Sequence, residues 1–239
     1  MKKIIKRVLY VFAGIIIILL LAAGGFYWKF TSEVKGMSQA NTQKINDSVY
    51  CIKDKFVNAY LFKGTAGWLM IDAGVGEDSF LPELKSLGLT PEQVTTILLT
   101  HTDGDHIGAV GAFKNAKVMM HKDEVQMVDG TNGKFFFMKS KWSYGPYSVF
   151  NSNDTLHIDG LEVKVLHTPG HSPGSCCFLV NGKYLEAGDN VSYKNGIFST
   201  FNNFFNMNTE VQKAEIEKLT ELKTTQYILT AHYGIVKNF

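Results

Sequence analysis

The chain has 239 residues, 45% of them hydrophobic and 19% charged, which is enough to bury a substantial core and excludes a disordered, collagen-like or disulfide-scaffold protein. Its formal net charge is +2, with 24 basic against 22 acidic side chains. Four of the basic ones, Lys2, Lys3, Lys6 and Arg7, open the chain, so the remainder is weakly acidic and carries no basic surface for nucleic acid.

The first predicted element is a membrane helix. Val8 to Trp28 contains no charge and includes the run Ile15 to Leu21; a spanning helix takes about 20 apolar residues. Four positive charges precede it and Phe26-Tyr27-Trp28 close it, so the positive-inside rule places the N-terminus in the cytoplasm and the rest outside. Residues 1–30 therefore read as a single-pass anchor. The alternative is a cleavable secretory signal with Ala22-Ala23-Gly24 as its cleavage zone; either way the domain is exported. Residues 31–46 are polar and aperiodic, which predicts a linker. Arg7 is the only arginine, so no guanidinium is available downstream to clamp a phosphate.

From Asp47 onward short β-rich runs take over. Val49–Lys53, Phe56–Lys63 and Trp68–Asp72 read as strands, with Gly64 and Gly67 marking a hairpin. Ser79–Leu87 reads as a helix ended by Gly88, and Thr90-Pro91-Glu92 as a helix start. A strand over Thr95–Thr100, a helix from Ile107, a strand over Lys117–Met120 and a helix near Lys122–Val128 follow. The second half repeats the rhythm, with strands at Thr155–Ile158, Leu161–His167, Ser175–Val180 and Lys183–Glu186, a helix over Thr209–Leu222 and a last strand at Tyr227–Thr230. Cys176 and Cys177 are neighbours on a strand and point to opposite faces, so a vicinal disulfide would be strained. Small buried hydrophobes are the expected role of the cysteines, with a bridge from Cys51 to one of the pair as the alternative outside the cell.

Four places carry chemistry, each just past a predicted strand. Thr100-His101-Thr102-Asp103-Gly104-Asp105-His106 sets four potential metal ligands within six residues. His167-Thr168-Pro169-Gly170-His171-Ser172-Pro173-Gly174 has two Pro-Gly steps that make a rigid turn around His171. Gly188-Asp189-Asn190 and Ala231-His232-Tyr233-Gly234 complete the set. Loops leaving one edge of a sheet converge on a common site. His121, His157 and His167 read as structural or exposed residues.

In this order and context the motifs resemble those of the metallo-β-lactamase superfamily, whose first motif is usually written His-X-His-X-Asp-His. The resemblance runs from about Asp47 to Phe239 and takes in Asn58-Ala59-Tyr60-Leu61 and Ile71-Asp72-Ala73-Gly74. It implies an α+β fold, an αββα sandwich over residues 47–239 behind the transmembrane helix. It also implies two divalent ions, zinc first, with His101, Asp103 and His171 on one, Asp105, His106 and His232 on the other, and Asp189 bridging both. Two such ions about 3.5–4 Å apart share a nucleophilic hydroxide, and Asp105 is the candidate catalytic residue that orients it and manages its proton. Asp189, where some true β-lactamases carry Cys, brings the site closer to hydroxyacylglutathione hydrolases and lactonases. Asp103 stands where the usual motif has His; as a harder donor it favours iron or manganese, or else its shorter reach leaves that position weak.

Gly130 to Phe150 holds Phe135, Phe136, Phe137, Trp142, Tyr144, Tyr147 and Phe150, either a lid over the metals or a small core of its own. Lys141, Trp142, Tyr144 and Tyr233 are the substrate-binding candidates. The expected function is a membrane-anchored, extracytoplasmic metallo-hydrolase of an ester, thioester or lactone, with a small-molecule substrate and no nucleic-acid partner. The alternatives are a non-catalytic metal-binding ectodomain and a diiron redox protein served by a separate flavoprotein.

Overall fold

A computed structural model describes residues 2–134, 139, 142–219, 222 and 225–237. The chain divides into two units, Met1–Met37 and Ser38–Phe239. The first is one helix, α1 (Lys2–Lys35), roughly 51 Å long at 1.5 Å per residue. Its apolar residues are exposed around the whole circumference from Ile15 to Leu21. It is long and apolar enough to cross a membrane, as a signal sequence also is.

Of residues 31–46, expected as a linker, 31–35 and 43–46 belong to regular elements, and 36–42 lie in neither helix nor strand. Residues 31–35 continue α1, helped by the Lys29–Glu33 ion pair one turn apart and by Thr31 Oγ1 donating to Tyr27 O. Residues 43–46 form a strand, β1 (Gln43–Asn46), and the Asn58 side chain ties Ala40 by both its N–H and its carbonyl. Edge pairing, invisible in an exposed polar sequence, produces that strand.

The second unit then runs β2 (Val49–Asp54), β3 (Val57–Lys63), β4 (Trp68–Ile71), α2 (Glu77–Ser86), β5 (Val94–Leu98), α3 (Gly104–Ile107), β6 (Lys117–His121), α4 (Val125–Val128), β7 (Tyr147–Phe150) and β8 (Thr155–Ile158). It continues with β9 (Leu161–His167), β10 (Cys176–Val180), β11 (Tyr184–Glu186), β12 (Val191–Lys194), β13 (Ile197–Thr200), α5 (Thr209–Leu219), β14 (Tyr227–Thr230) and β15 (Gly234–Lys237). One sheet has the order β1-β2-β3-β4-β5-β6-β7 and the other β15-β14-β11-β10-β9-β8, while β12 and β13 form a separate hairpin.

Strand alternation decides the layers. Val49 and Cys51 of β2 face Cys176, Phe178 and Val180 of β10 in a core between the two sheets. Tyr50 and Ile52 turn the other way, into a second core with Phe80 and Leu84 of α2. Cys177 and Leu179 point outward into a third core against Ile216 and Leu219 of α5. The result is an αββα sandwich. Cys176 and Cys177 thus belong to different cores, and all three cysteines are free and buried; burial pushes the Cys51 and Cys177 thiols up to about 12.

Strands β9, β11 and β14 run in one direction, so the loops that follow them leave by one edge. The loop after β5 joins them there, where Cys176 N donates to Thr100 O at 2.9 Å.

Candidate metal centre

Three donor groups gather at this edge. His101, Asp103 and His171 offer ligand atoms within 4.8 Å of one another, as do His101, His106 and Asp189, and Asp105, His106 and His232. Asp189 joins them: its Oδ1 lies 3.4 Å from His106 Nε2 and 3.1 Å from His232 Nε2, and its Oδ2 3.3 Å from His171 Nε2 and 3.9 Å from His101 Nε2. All four imidazoles are essentially buried. The seven residues that the sequence singled out in four separate loops therefore sit around one small volume.

The imidazole orientations follow from their outward partners. His106 Nδ1 lies 2.8 Å from Asp72 Oδ2, His101 Nδ1 3.0 Å from Thr100 Oγ1, His171 Nδ1 3.0 Å from Asn206 Oδ1 and His232 Nδ1 2.6 Å from Phe56 O. Each partner accepts the Nδ1 proton and turns Nε2 inward, the arrangement that outer partners impose on metal-ligating histidines. Asp72 also accepts from Thr100 N at 2.8 Å and Thr100 Oγ1 at 2.7 Å, and holds a left-handed backbone, φ 60°, an uncommon cost for a residue with a Cβ.

Tetrahedral ligation at about 2.1 Å sets neighbouring donor atoms roughly 3.4 Å apart. The Asp105, His106, His232 and Asp189 atoms lie 3.1–3.8 Å apart where pairs are measured. His106 Nε2 and Asp189 Oδ1, both buried, have no hydrogen-bond partner among the described residues. This donor set fits a divalent cation.

Electrostatics sharpen the picture. Burial works against the ionisation of Asp189 and Asp103. His232 and His106 around the first, and Lys134 and His101 around the second, nonetheless hold both carboxyls well below the usual range. Burial would also lower His232, but Asp189 and Asp105 raise it to about 10; His106 is held well above its ordinary value by Asp72 and Asp189. His171 is pushed down to about 4 by burial and by Lys134.

Lys134 is the residue that sequence reasoning missed. Its Nζ makes an ion pair with Asp103 Oδ2 and lies 2.7 Å from His171 Nε2, and the side chain is buried. Glu124, Asn206 and Phe201 were missed too. Phe201 stacks on His232 at 5.3 Å and meets His171 edge-on at 5.2 Å. The substrate candidates are placed variously. Trp142 and Tyr144 form an edge-to-face pair at 5.1 Å and pack, half-buried, against the core that carries α2. Tyr233 is buried 6.2 Å from Phe201. Lys141, Phe135, Phe136 and Phe137 lie outside the described residues.

Comparison with known proteins agrees with this geometry. Residues 52–232 match the model of the metallo-beta-lactamase superfamily. The chain belongs to that superfamily. It is 30% identical to a probable metallo-hydrolase of Bacillus subtilis (strain 168) over 182 residues, 73% of this chain and 84% of the relative. It is 28% identical to an N-acyl homoserine lactonase of Bacillus cereus over 175 residues, 69% and 66% of the two chains. In fold it is similar to a superfamily protein from Thermus thermophilus, with a TM-score of 0.59 at 22% identity, covering 81% of this chain and 76% of that one. By its superfamily and its relatives the chain is a metallo-hydrolase.

Proposed function

We propose that the chain is a membrane-anchored, extracytoplasmic hydrolase of an ester, thioester or lactone. The observation that carries this reading is the set of four imidazoles that give Nδ1 to outward partners and turn Nε2 toward Asp189. The similarity to a lactonase supports the substrate class, and the exposed apolar helix α1 behind four basic residues supports the anchor.

Asp105, His106, His232 and Asp189 would hold a divalent ion, with zinc, iron or manganese suited to these donors. Such an ion supplies Lewis acidity toward a carbonyl oxygen and toward water. The protein's own part is positional. Asp189 is buried at the centre, whereas the Asp105 side chain is 22% exposed and reaches His232 Nε2 at 3.4 Å, so Asp105 is the carboxylate placed to take a proton at the open side of the site. Phe201, against His171 and His232, keeps water from the flank of both rings. Lys141, Trp142, Tyr144 and Tyr233 remain the proposed substrate-binding residues.

The test is turnover of an ester, thioester and lactone panel, with a β-lactam as comparison, by chain loaded with zinc or manganese. Asp105→Asn is expected to keep its circular dichroism and melting point and to lose about 10²–10⁴-fold in kcat. A loaded protein inert toward every acyl substrate would sink the substrate class. Protease digestion of intact and opened cells checks the side of the membrane, and an external domain is expected to be cut in both.

A further inference from the structure

At the position formed by His101, Asp103 and His171, two of the three donors already have an occupant, while His101 Nε2 has no hydrogen-bond partner among the described residues. Lys134 Nζ pairs with Asp103 Oδ2 and stands 2.7 Å from His171 Nε2, while those two acceptor atoms are 3.1 Å apart. Because His171 Nδ1 faces Asn206 Oδ1, its proton is on that side, and the ring has a single lone pair on Nε2. That lone pair accepts from the ammonium or binds a metal; it cannot do both. An ammonium is a compact point charge with three donors, and two of them are spent on the atoms a metal would need.

We propose that Lys134 is a built-in cation at this position, so that the chain binds one divalent ion, on the Asp105, His106, His232 and Asp189 side, instead of two. This rests on the reading of the cluster as a metal centre. Asp103 belongs to the same device. The usual imidazole there would be a neutral neighbour for an ammonium, whereas the carboxylate that replaces it is a full counter-charge. Formal charge agrees: Asp103, Asp105 and Asp189 carry three negative charges, which one divalent ion and one lysine balance. Two divalent ions beside the same lysine would leave the donor set with excess positive charge and no room to delocalise it.

Lys134 reaches the centre from a stretch with no local motif and brings a buried ammonium there. A solvated lysine would keep its head group in water; this one is 8% exposed.

The experiment is metal stoichiometry of the full chain in detergent, stripped and then titrated with zinc alone, read by calorimetry and by elemental analysis after dialysis. Wild type is expected to retain about one equivalent, Lys134→Met about two and Lys134→Arg about one, as tetrahedral or closed donor sets hold their ion through dialysis. Two equivalents in wild type would overturn the proposal and leave the metal-centre reading standing. None in wild type would overturn both. One in wild type and still one in Lys134→Met would show that lysine is not what fills the position. Should the Lys134 variants fail to fold, Asp103→Asn decides: it keeps the wild-type equivalent if Asp103 serves lysine, and loses metal if Asp103 is a ligand.

Discussion

Glu124 holds Ser172, its Oε2 accepting from Ser172 Oγ at 2.6 Å and from Gly174 N at 2.9 Å. Its other oxygen accepts from Thr102 N and Thr102 Oγ1, both at 2.9 Å. One buried carboxylate thus spans the loop carrying His101 to His106 and the loop carrying His171, two segments some 70 residues apart in sequence. Its four donors leave no acceptor capacity unused at the junction. Glu124 touches none of the gathered donors and sets where they stand.

Glu124→Gln is accordingly expected to lower both stability and metal affinity. The amide nitrogen that replaces one oxygen would face N–H and O–H donors, and buried hydrogen bonds to a charged group are each worth about 1.5–3 kcal/mol. Loss of an outer partner of a metal site costs on the order of 10–100-fold in affinity. Thermal melting and zinc titration of the same preparation check the two effects. A variant with reduced melting temperature and unchanged affinity would reduce Glu124 to a packing role.

Metal uptake should acidify the solution. His232 sits near pKa 10 and His106 well above its ordinary value, because burial is outweighed by Asp189 with Asp105 in one case and by Asp72 with Asp189 in the other. At pH 7 the His232 ring therefore carries its extra proton in the metal-free protein, and a ligating imidazole must give it up. The expected release is at least about one proton per ion, the one that His232 gives up. Calorimetry in two buffers of different ionisation enthalpy measures it. No buffer dependence would mean that neither ring ligates.

How far these features were legible in the sequence depends on whether a signal was local. The strands of the central core declare themselves by apolar runs bounded by turn residues, and β8 and β9 fall where the pattern puts them. The donor loops are legible because each follows such a strand. The edge strands β1 and β13 are not: their side chains are mostly exposed or half-exposed, so no alternation marks them, and β15 continues past the strand expected to be last. Lys134, Glu124 and Asn206 act at long range. Lys134 is 31 residues from Asp103, and Glu124 is 48 from Ser172. A single lysine or glutamate in a polar stretch reads as a solvated charge until the fold brings its partner to it.

Gln212 offers a third test. This fully buried amide accepts from Phe201 N at 3.0 Å and Asn206 Nδ2 at 2.7 Å, and donates to Asp189 O at 3.0 Å. Gly170, with φ 134°, lies so close that a Cβ there would meet Gln212 N at 2.5 Å. Gln212→Leu keeps the volume and removes a partner from three polar groups: Phe201 N and Asn206 Nδ2 keep bonds at 3.3 Å to Asn190 O and Thr209 Oγ1, whereas the carbonyl of the central aspartate loses its donor. An unsatisfied buried group costs about 1–3 kcal/mol, so the variant is expected to lose about 1–3 kcal/mol in chemical denaturation and to loosen the metal. Gly170→Ala should reproduce the loss through the same contact. Full stability in both would remove Gln212 from the site's support.

The acid limb of stability has an identifiable contributor away from the donors. His121 is buried at the end of β6; its Nδ1 accepts from Asp123 N at 3.2 Å, its Nε2 meets Ser152 Oγ at 3.1 Å and its ring stacks on His167 at 4.0 Å. Ser152 Oγ reaches His167 Nδ1 in turn, and His167 Nε2 lies 2.9 Å from Pro173 O, so a hydrogen-bonded relay supports the turn that carries His171. A second proton on His121 would sit against the Asp123 N–H. Burial first, then His167 and Lys122, push its pKa down to about 4 against the opposing pull of Asp123 and Asp154. Between pH 6.5 and 4 the unfolded chain therefore binds a proton that the folded chain refuses. This contribution to stability is complete above pH 6.5 and is lost as pH falls through that window. His121→Asn keeps an acceptor for Asp123 N and cannot titrate. Its melting temperature is expected to fall less than that of wild type between pH 7 and pH 4.5, with the two curves converging in acid. Parallel curves would place the acid sensitivity elsewhere.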